Sequence, residues 1–480
     1  MKKLLNQFAA AIIVALASPG GNSAHAADKP NILFIFADDM CFEIIRARGM
    51  TDIDTPNLDR LTRQGTTFTH AYNMGSWSGA VCVASRCMLN TGRYIWHANA
   101  VYSTAGKELA AGRFWSAYLK QAGYTTYFTG KWHVRADAEK AFDVARHVRA
   151  GMPRTVKDAY NRPLQGQPDK WSPYDKSVGG FWEGGRHWSE VVADDAVDYL
   201  NLAKKDKKPF FMYLAFNAVH DPRQAPREYV DKYPPDRVKV PENFLPEYPY
   251  KDQIGNQHKL RDENLAPMPR TPYSIKVHRG EYYALAEHMD AQIGRILAEL
   301  KKTGQDKNTY IFFTADHGLA VGHHGLLGKQ NMYDDSVRVP FIAAGPGIAA
   351  NKTLDAPIYL QDVMPTTLEL ARVKKPDHVE FHSLMPLLKG KQKQSHLNGV
   401  YGAYLKLQRA ITDDGYKLIL YPEAKVARLY NLKADPGEMH DLAGEKKSKP
   451  IMKNLFARFL KMQSDLDDTL EIKSVFPELN

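Results

Sequence analysis

The chain is poor in cysteine. Cys41, Cys82 and Cys87 are its three cysteines among 480 residues. So small and odd a set excludes the disulfide framework that staples many exported proteins. If Cys82 and Cys87 share a helix, the rise alone separates them by about 7.5 Å, and disulfides rarely bridge Cα atoms more than about 7 Å apart. The count points to a special thiol. Beyond residue 26 there is no apolar run of the roughly 20 residues needed to cross a bilayer, which excludes a later membrane span. The sequence also lacks internal repeats, low-complexity tracts and any nucleic-acid-binding motif. Its formal charge is +10, but the basic residues are scattered, so no nucleic-acid partner is expected. A basic surface of this kind suits anionic partners in general.

What is present begins with a leader. Lys2 and Lys3 precede an apolar run from Phe8 to Ala17, then Pro19-Gly20-Gly21 and the small-residue signature Ala24-His25-Ala26. This is the anatomy of a secretory signal peptide, residues 1–26, cut before Ala27. A periplasmic or secreted protein without a stable membrane anchor is expected, and losing Lys2 and Lys3 takes the charge of +10 to +8. The remaining length exceeds what one core usually supports, which predicts a large domain plus a smaller one.

Four apolar runs rich in β-branched and aromatic residues read as buried strands: Asn31 to Phe36, Thr125 to Thr129, Phe210 to Phe216 and Thr309 to Thr314. Helical patterns separate them. One follows Thr55-Pro56, one runs from Phe114 to Gln121, one from Glu190 to Ala203, and the longest from Gly280 to Lys302. This alternation predicts a parallel sheet covered on both faces. Two long inserts read as loops walling a pocket. Residues 134–188 hold Trp171, Trp182 and Trp188, and residues 221–275 hold ten prolines. After about residue 390, Leu407 to Thr412, Tyr416 to Leu420 and Arg428 to Asn431 read as short antiparallel strands, with Asp413-Asp414-Gly415 as a turn and a helix from Pro450 to Gln463. The expected division is 27–389 and 390–480, the second part a small α+β subdomain.

The chemistry lies at the strand ends. The first strand is followed by Asp38-Asp39, the second by Gly130-Lys131-Trp132-His133, the third by His220 and the fourth by Asp316-His317-Gly318. In open α/β sheets ligands bind outside the carboxyl ends of strands, so four strands deliver carboxylates, imidazoles and an ammonium to one edge. The carboxylates repel one another unless a cation neutralises them, and oxygen donors favour a hard ion, Ca²⁺ or Mg²⁺. Cys82 begins a segment that runs through Ser85-Arg86 to Thr91-Gly92-Arg93. Gly92 suits a helix end, which predicts a helix starting just after Cys82 with an anion-favouring N-terminus.

The segment Cys82-Val83-Ala84-Ser85-Arg86 continuing to Thr91-Gly92-Arg93 resembles the signature of the type I, formylglycine-dependent sulfatases, except that Ala84 stands where most members have proline. The resemblance runs from about Lys29 to Ala443. It includes Thr55-Pro56-Asn57-Leu58-Asp59, Gly130-Lys131-Trp132-His133, and Gly325 to Pro340 with Lys329, where Asp334 replaces the usual glutamate. It also includes Asp362 to Thr366, Leu429-Tyr430-Asn431-Leu432 and Asp435-Pro436-Gly437-Glu438. It implies an alkaline-phosphatase-like α/β fold, a large mixed, mainly parallel sheet sandwiched by helices. It implies that Cys82 is oxidised to formylglycine (3-oxoalanine) by a maturation enzyme, with Ala84 bearing on which one. It implies one Ca²⁺, with Mg²⁺ second, on Asp38, Asp39, residue 82, Asp316 and His317, where His317 replaces an asparagine common in the family. The implied catalytic residues are Cys82, Arg86, Lys131, His133, His220 and Lys329, with His220 as general acid and His133 acting on residue 82.

Export, basic charge and the tryptophans of the first insert point to a sulfated saccharide, since flat rings stack on sugar faces. Asp221 and Arg223 are the residues expected to contact sugar hydroxyls or a second sulfate. Two rivals stand beside this reading: a phosphodiester or phosphonate-monoester hydrolase of the same superfamily, and a non-catalytic exported binder of sulfated polymers that would keep a free thiol at Cys82.

Overall fold

Near-continuous apolar runs form strands buried on both faces, and Ile32 to Ala37 are all fully buried. The computed structural model describes residues 29–480; the expected leader lies outside them. In chain order the strands are β1 (Asn31–Ala37), β2 (Thr66–Tyr72), β3 (Gly75–Ser76), β4 (Thr125–Lys131), β5 (Val144–Arg149), β6 (Phe210–Ala215), β7 (Thr309–Ala315), β8 (Arg338–Ala344), β9 (Lys352–Leu354), β10 (Ile358–Tyr359), β11 (Val400–Tyr404), β12 (Gln408–Asp413), β13 (Tyr416–Tyr421) and β14 (Val426–Asn431). The main sheet has the order β10-β2-β8-β7-β1-β6-β4-β5, with β9 against β2. The four strands legible in the sequence are its parallel centre, β7-β1-β6-β4. β5 adds a parallel edge, and β8 runs antiparallel to both β7 and β2. The sheet is therefore mixed and mainly parallel.

Six helices frame the sheets and the site: α1 (Pro56–Gln64), α2 (Val81–Thr91), α3 (Trp115–Gln121), α4 (Trp188–Lys205), α5 (Pro272–Lys302) and α6 (Lys449–Asp465). α1, α4 and α5 pack together as one group, and α2 packs with α3 as another. α5 starts eight residues before the expected Gly280. Thr271 and Ser274 close a capping box there, with proline in the first turn, a start signal that lies inside the proline-rich insert. The first insert is not wholly loop either, since it contains β5. Among the described residues no helix is long and apolar enough to cross a membrane.

A second sheet, β14-β13-β12-β11-β3, follows the main one. Its β12–β13 hairpin turns on Asp414 (φ 51°) and Gly415 (φ 82°), the left-handed pair that a two-residue hairpin loop demands. β3 comes from far earlier in the chain and pairs Gly75 with Ala403. The C-terminal sheet is thus completed by the segment that leads into α2.

Candidate active site

The register of the central strands sets where the site forms. Ala37 pairs with Ala315, while Phe36 and Gly130 both pair with Ala215, so the four strands end level and the residues just past their ends converge. Gly130 has φ +97°, and a Cβ there would lie 1.8 Å from the Ala215 carbonyl oxygen; only glycine lets β4 run this close to β6. Asp39 (φ 59°) and His133 (φ 53°) occupy the left-handed region, uncommon for non-glycine residues and several-fold enriched in Asp and His. At Asp39 this breaks the strand alternation, so Asp38 and Asp39 both reach one cluster. α2 starts at Val81, one residue before Cys82 instead of just after it, and ends at Gly92 in the left-handed conformation. The thiol therefore sits in the first turn, where the helix dipole favours negative charge.

The assembled contacts are close and buried. Cys82 Sγ lies 3.4 Å from His133 Nδ1. Lys131 Nζ donates to Asp38 Oδ2, and Lys329 Nζ donates to both oxygens of Asp39 at 2.9 and 2.7 Å. Arg86 Nε donates to Asp316 Oδ2 at 3.0 Å, and its Nη1 to the Lys131 carbonyl at 2.7 Å. His220 Nε2 lies 3.1 Å from Lys329 Nζ and 3.7 Å from Asp39 Oδ2, while Nδ1 faces the Asp221 carbonyl at 2.8 Å. His317 Nε2 is 3.1 Å from Asp39 Oδ1.

Burial sharpens the electrostatics. It disfavours charge on Asp38, but Lys131, His220, Arg86 and Lys329 prevail and hold its pKa well below the ordinary carboxylate value. Asp316 goes the other way: burial, then repulsion from Asp38, push it up to about 6. His317 is raised to about 9 because Asp316 and Asp39 outweigh burial. Burial opposes a Cys82 thiolate, yet Lys131 and hydrogen bonds with His133 and His317 lower its pKa well below the ordinary thiol value. For His220, Asp39 overcomes burial and raises the pKa.

This donor set fits a divalent cation. Ligand atoms of Asp38, Cys82, Asp316 and His317 lie within 4.8 Å of one another, as do those of Asp38, Asp39 and His220. Asp38 Oδ1 is buried without a hydrogen-bond partner among the described residues. Leaving such a group orphaned is costly, and a bound ion would satisfy it. Carboxylates crowded around one point call for the same ion.

The residues expected for catalysis and metal binding, Asp38, Asp39, Cys82, Arg86, Lys131, His133, His220, Asp316, His317 and Lys329, thus converge. The two residues expected to contact the sugar, Asp221 and Arg223, are both buried and partnered within the protein. Asp221 is 3% exposed, and its carboxylate is taken up by His220 and Arg261. Arg223 is 1% exposed and donates to His278 Nδ1 at 3.0 Å. The three insert tryptophans are also buried, at 4 to 6% exposure. Cations cover them: Arg162 over Trp171, Lys176 over Trp182 and Arg149 over Trp188. They are not free to stack on a sugar. Sequence reasoning missed Arg261, Asp262 and Gln330. Arg261 bridges Asp221 and Asp262, and Asp262 accepts from Gln330 Nε2 at 2.7 Å and lies 3.8 Å from Lys329. Nothing in the sequence marks these positions, because the insert carrying Arg261 and Asp262 has no periodicity.

Comparison with known proteins matches this geometry. The sulfatase family model fits residues 30–373, and a model of the N-sulphoglucosamine sulphohydrolase C-terminal region fits residues 322–465. The N-acetylglucosamine-6-O-sulfatase of Bacteroides thetaiotaomicron is 26% identical, the match covering 92% of this chain and 88% of the relative. The arylsulfatase of Clostridium perfringens is 26% identical over 88% of this chain and 92% of its own length. The ulvan-active sulfatase of Formosa agariphila is 27% identical over 93% and 84%. In fold, the chain resembles BT4656, solved in complex with its substrate D-glucosamine-2-N,6-O-disulfate, at a TM-score of 0.73 and 24% identity over 92% of this chain and 99% of that one. It also resembles the phosphonate monoester hydrolase of Silicibacter pomeroyi, at a TM-score of 0.71 and 20% identity over 92% and 96%. With the family model spanning well over half of its length, this chain belongs to the sulfatase family and is a sulfuric ester hydrolase.

Proposed function

We propose that this sulfatase is exported and removes sulfate monoesters from a sulfated carbohydrate, using residue 82 as formylglycine and one bound divalent cation, calcium ahead of magnesium. The observation that carries the reading is the convergence of Cys82 and His133 with three buried cations and three carboxylates at the ends of four parallel strands. Two relatives named for sulfated sugars support the carbohydrate, the N-acetylglucosamine-6-O-sulfatase and the ulvan-active sulfatase. On this reading residues 1–26 are the leader, 27–389 the catalytic domain and 390–480 the C-terminal subdomain.

Asp38, Asp39, Asp316 and His317, with the side chain at 82, would hold the cation, which supplies Lewis acidity toward the sulfuryl group. Formylglycine supplies an oxygen nucleophile and requires a maturation enzyme that accepts Ala84. Lys131, Lys329 and Arg86 bind the sulfate oxygens and stabilise charge that develops on them. His133, 3.4 Å from residue 82, moves a proton at that side chain. His220 is oriented through Nδ1 by Asp221, so Nε2 is the atom that hands a proton to the departing alcohol.

The test is turnover of matched sulfate, phosphate and phosphonate monoesters, with Cys82→Ala as control. The reading expects sulfate hydrolysis to dominate and the variant to be inactive. Faster turnover of the phosphonate, or an active variant, would overturn it.

A further inference from the structure

Beside the reacting cluster lies a cavity of about 530 Å³ whose lining includes Arg149, Gly151, Arg154, Glu183, Arg186 and Trp188. Its volume falls within the range of ordinary ligand sites. Gly151 and the His133 ring form the wall between it and the cluster, since a Cβ at that glycine would stand 3.5 Å from the ring, whose Nδ1 meets Cys82. Asn217 Nδ2 fixes this wall by donating to the Gly151 carbonyl at 2.7 Å. Arg149 ends β5 in register with Lys131, so one strand pair presents a cation to each compartment.

The arginines differ in how far they are committed. Arg186 is ion-paired with Asp194 and Glu190, and the neighbouring His147 is held by Asp195 at 2.8 Å. Arg149 and Arg154 carry no ion pair among the described residues. Arg149 is half-buried, lies 3.7 Å over the Trp188 ring, and its Nε is buried without a hydrogen-bond partner. Burial brings its pKa down to about 10, with Glu183 and Asp195 partly offsetting that, so it remains cationic at neutral pH. Stacking on an indole holds a guanidinium planar and leaves its N–H edge for a partner. Against these two free cations the cavity sets the single carboxylate of Glu183, so it stays net positive. A half-buried, preoriented and unpaired arginine is an unmet demand for an anion.

We propose that this cavity is a subsite for a second anionic group of the substrate, a sulfate ester or a carboxylate carried near the sulfate that is cleaved, with Arg149 as its anchor and Arg154 at its rim. The inference rests on the sulfatase reading and narrows its substrate to saccharides that carry at least two anionic groups.

The experiment separates binding from turnover. Binding to the Cys82→Ser protein is measured calorimetrically for three saccharides: one with a single sulfate, one with two, and one with a sulfate and a carboxylate. The proposal expects at least one of the dianionic ligands to bind tenfold or more tighter than the monosulfated one, and its source of charge identifies the second group. Adding Arg149→Ala or Arg154→Ala should reduce that preference to within about twofold. Arg154 is exposed, so its variant carries no folding liability if Arg149→Ala disturbs Trp188. Equal affinity for all three ligands, or an unchanged preference in both variants at unchanged thermal stability, would overturn the subsite. Failure of the sulfatase reading itself shows separately, as a wild-type protein that cleaves no sulfate ester.

Discussion

At the residue scale two substitutions probe distinct parts of the site. Asp38 has one oxygen on Lys131 and the other orphaned. Asp38→Ala is expected to abolish divalent-cation binding by calorimetry and to lower turnover by at least a hundredfold, since it removes a ligand and leaves Lys131 buried without its partner. Retained cation affinity would take Asp38 out of the metal shell. His220→Ala is expected to cost far more on a sulfated sugar than on a nitrophenyl sulfate. A sugar alkoxide needs a proton to leave and a nitrophenolate does not, so the gap should lie toward the ~10²–10⁴-fold range of general acid catalysis. Equal losses on the two substrates would reduce His220 to a sulfate contact. The residues themselves were largely legible, because Asp38, Lys131, His220 and Asp316 each follow a readable strand and Cys82 stands in a specific motif. The packing of Asp221 and Arg223 was not legible, because sequence distance from His220 does not say which partners a buried side chain meets.

At the element scale the site depends on β4 and β6 ending together. Gly130→Ala is expected to destabilise the protein by about 1–3 kcal/mol, through left-handed strain and a clash with the Ala215 carbonyl, and to lower kcat by displacing Lys131 and His133. Chemical denaturation with parallel kinetics checks both. Unchanged stability would mean that β4 can shift without cost. The four central strands could be read because strands buried on both faces are uniformly apolar. β8 could not, since Pro340 argues against a strand. The structure accommodates it at an irregularity, where the pairing register with β2 shifts between Phe68 and Ala71 opposite Pro340. β5, Val144–Arg149, was hidden for a different reason. It is an edge strand with Arg146, His147 and Arg149 in six residues, and charge on an edge discourages further pairing while erasing the apolar signature. In the first insert, the tryptophans gave a true signal of burial that was misread as one of ligand contact.

At the scale of the whole molecule, the C-terminal sheet and the reacting cluster are tied together. β3 completes that sheet just before α2. Lys417 of β13 pairs with Asp334 at 2.6 Å and Glu438 at 2.8 Å, and Glu438 accepts from the Asp334 amide at 2.7 Å, so the Asp435-to-Glu438 element clasps the chain just after Lys329. The proposed cation would join the same framework, because an ion bound by the native state alone stabilises it by about 2.7 kcal/mol at a hundredfold excess over Kd. Chelation is therefore expected to lower Tm by several degrees and abolish turnover together, with calcium restoring both. An unchanged Tm with full activity after exhaustive chelation would remove the cation from the mechanism. The central claim is that residue 82 of the working protein is no longer a cysteine. Peptide mass spectrometry of active protein from its native host reads this directly, on the fragment that carries Cys82 to Arg86. The expected mass is about 18 Da below that of the cysteine peptide, the change from thiol to aldehyde that turns residue 82 into an oxygen nucleophile. Fully active protein whose residue 82 retains its thiol would contradict it.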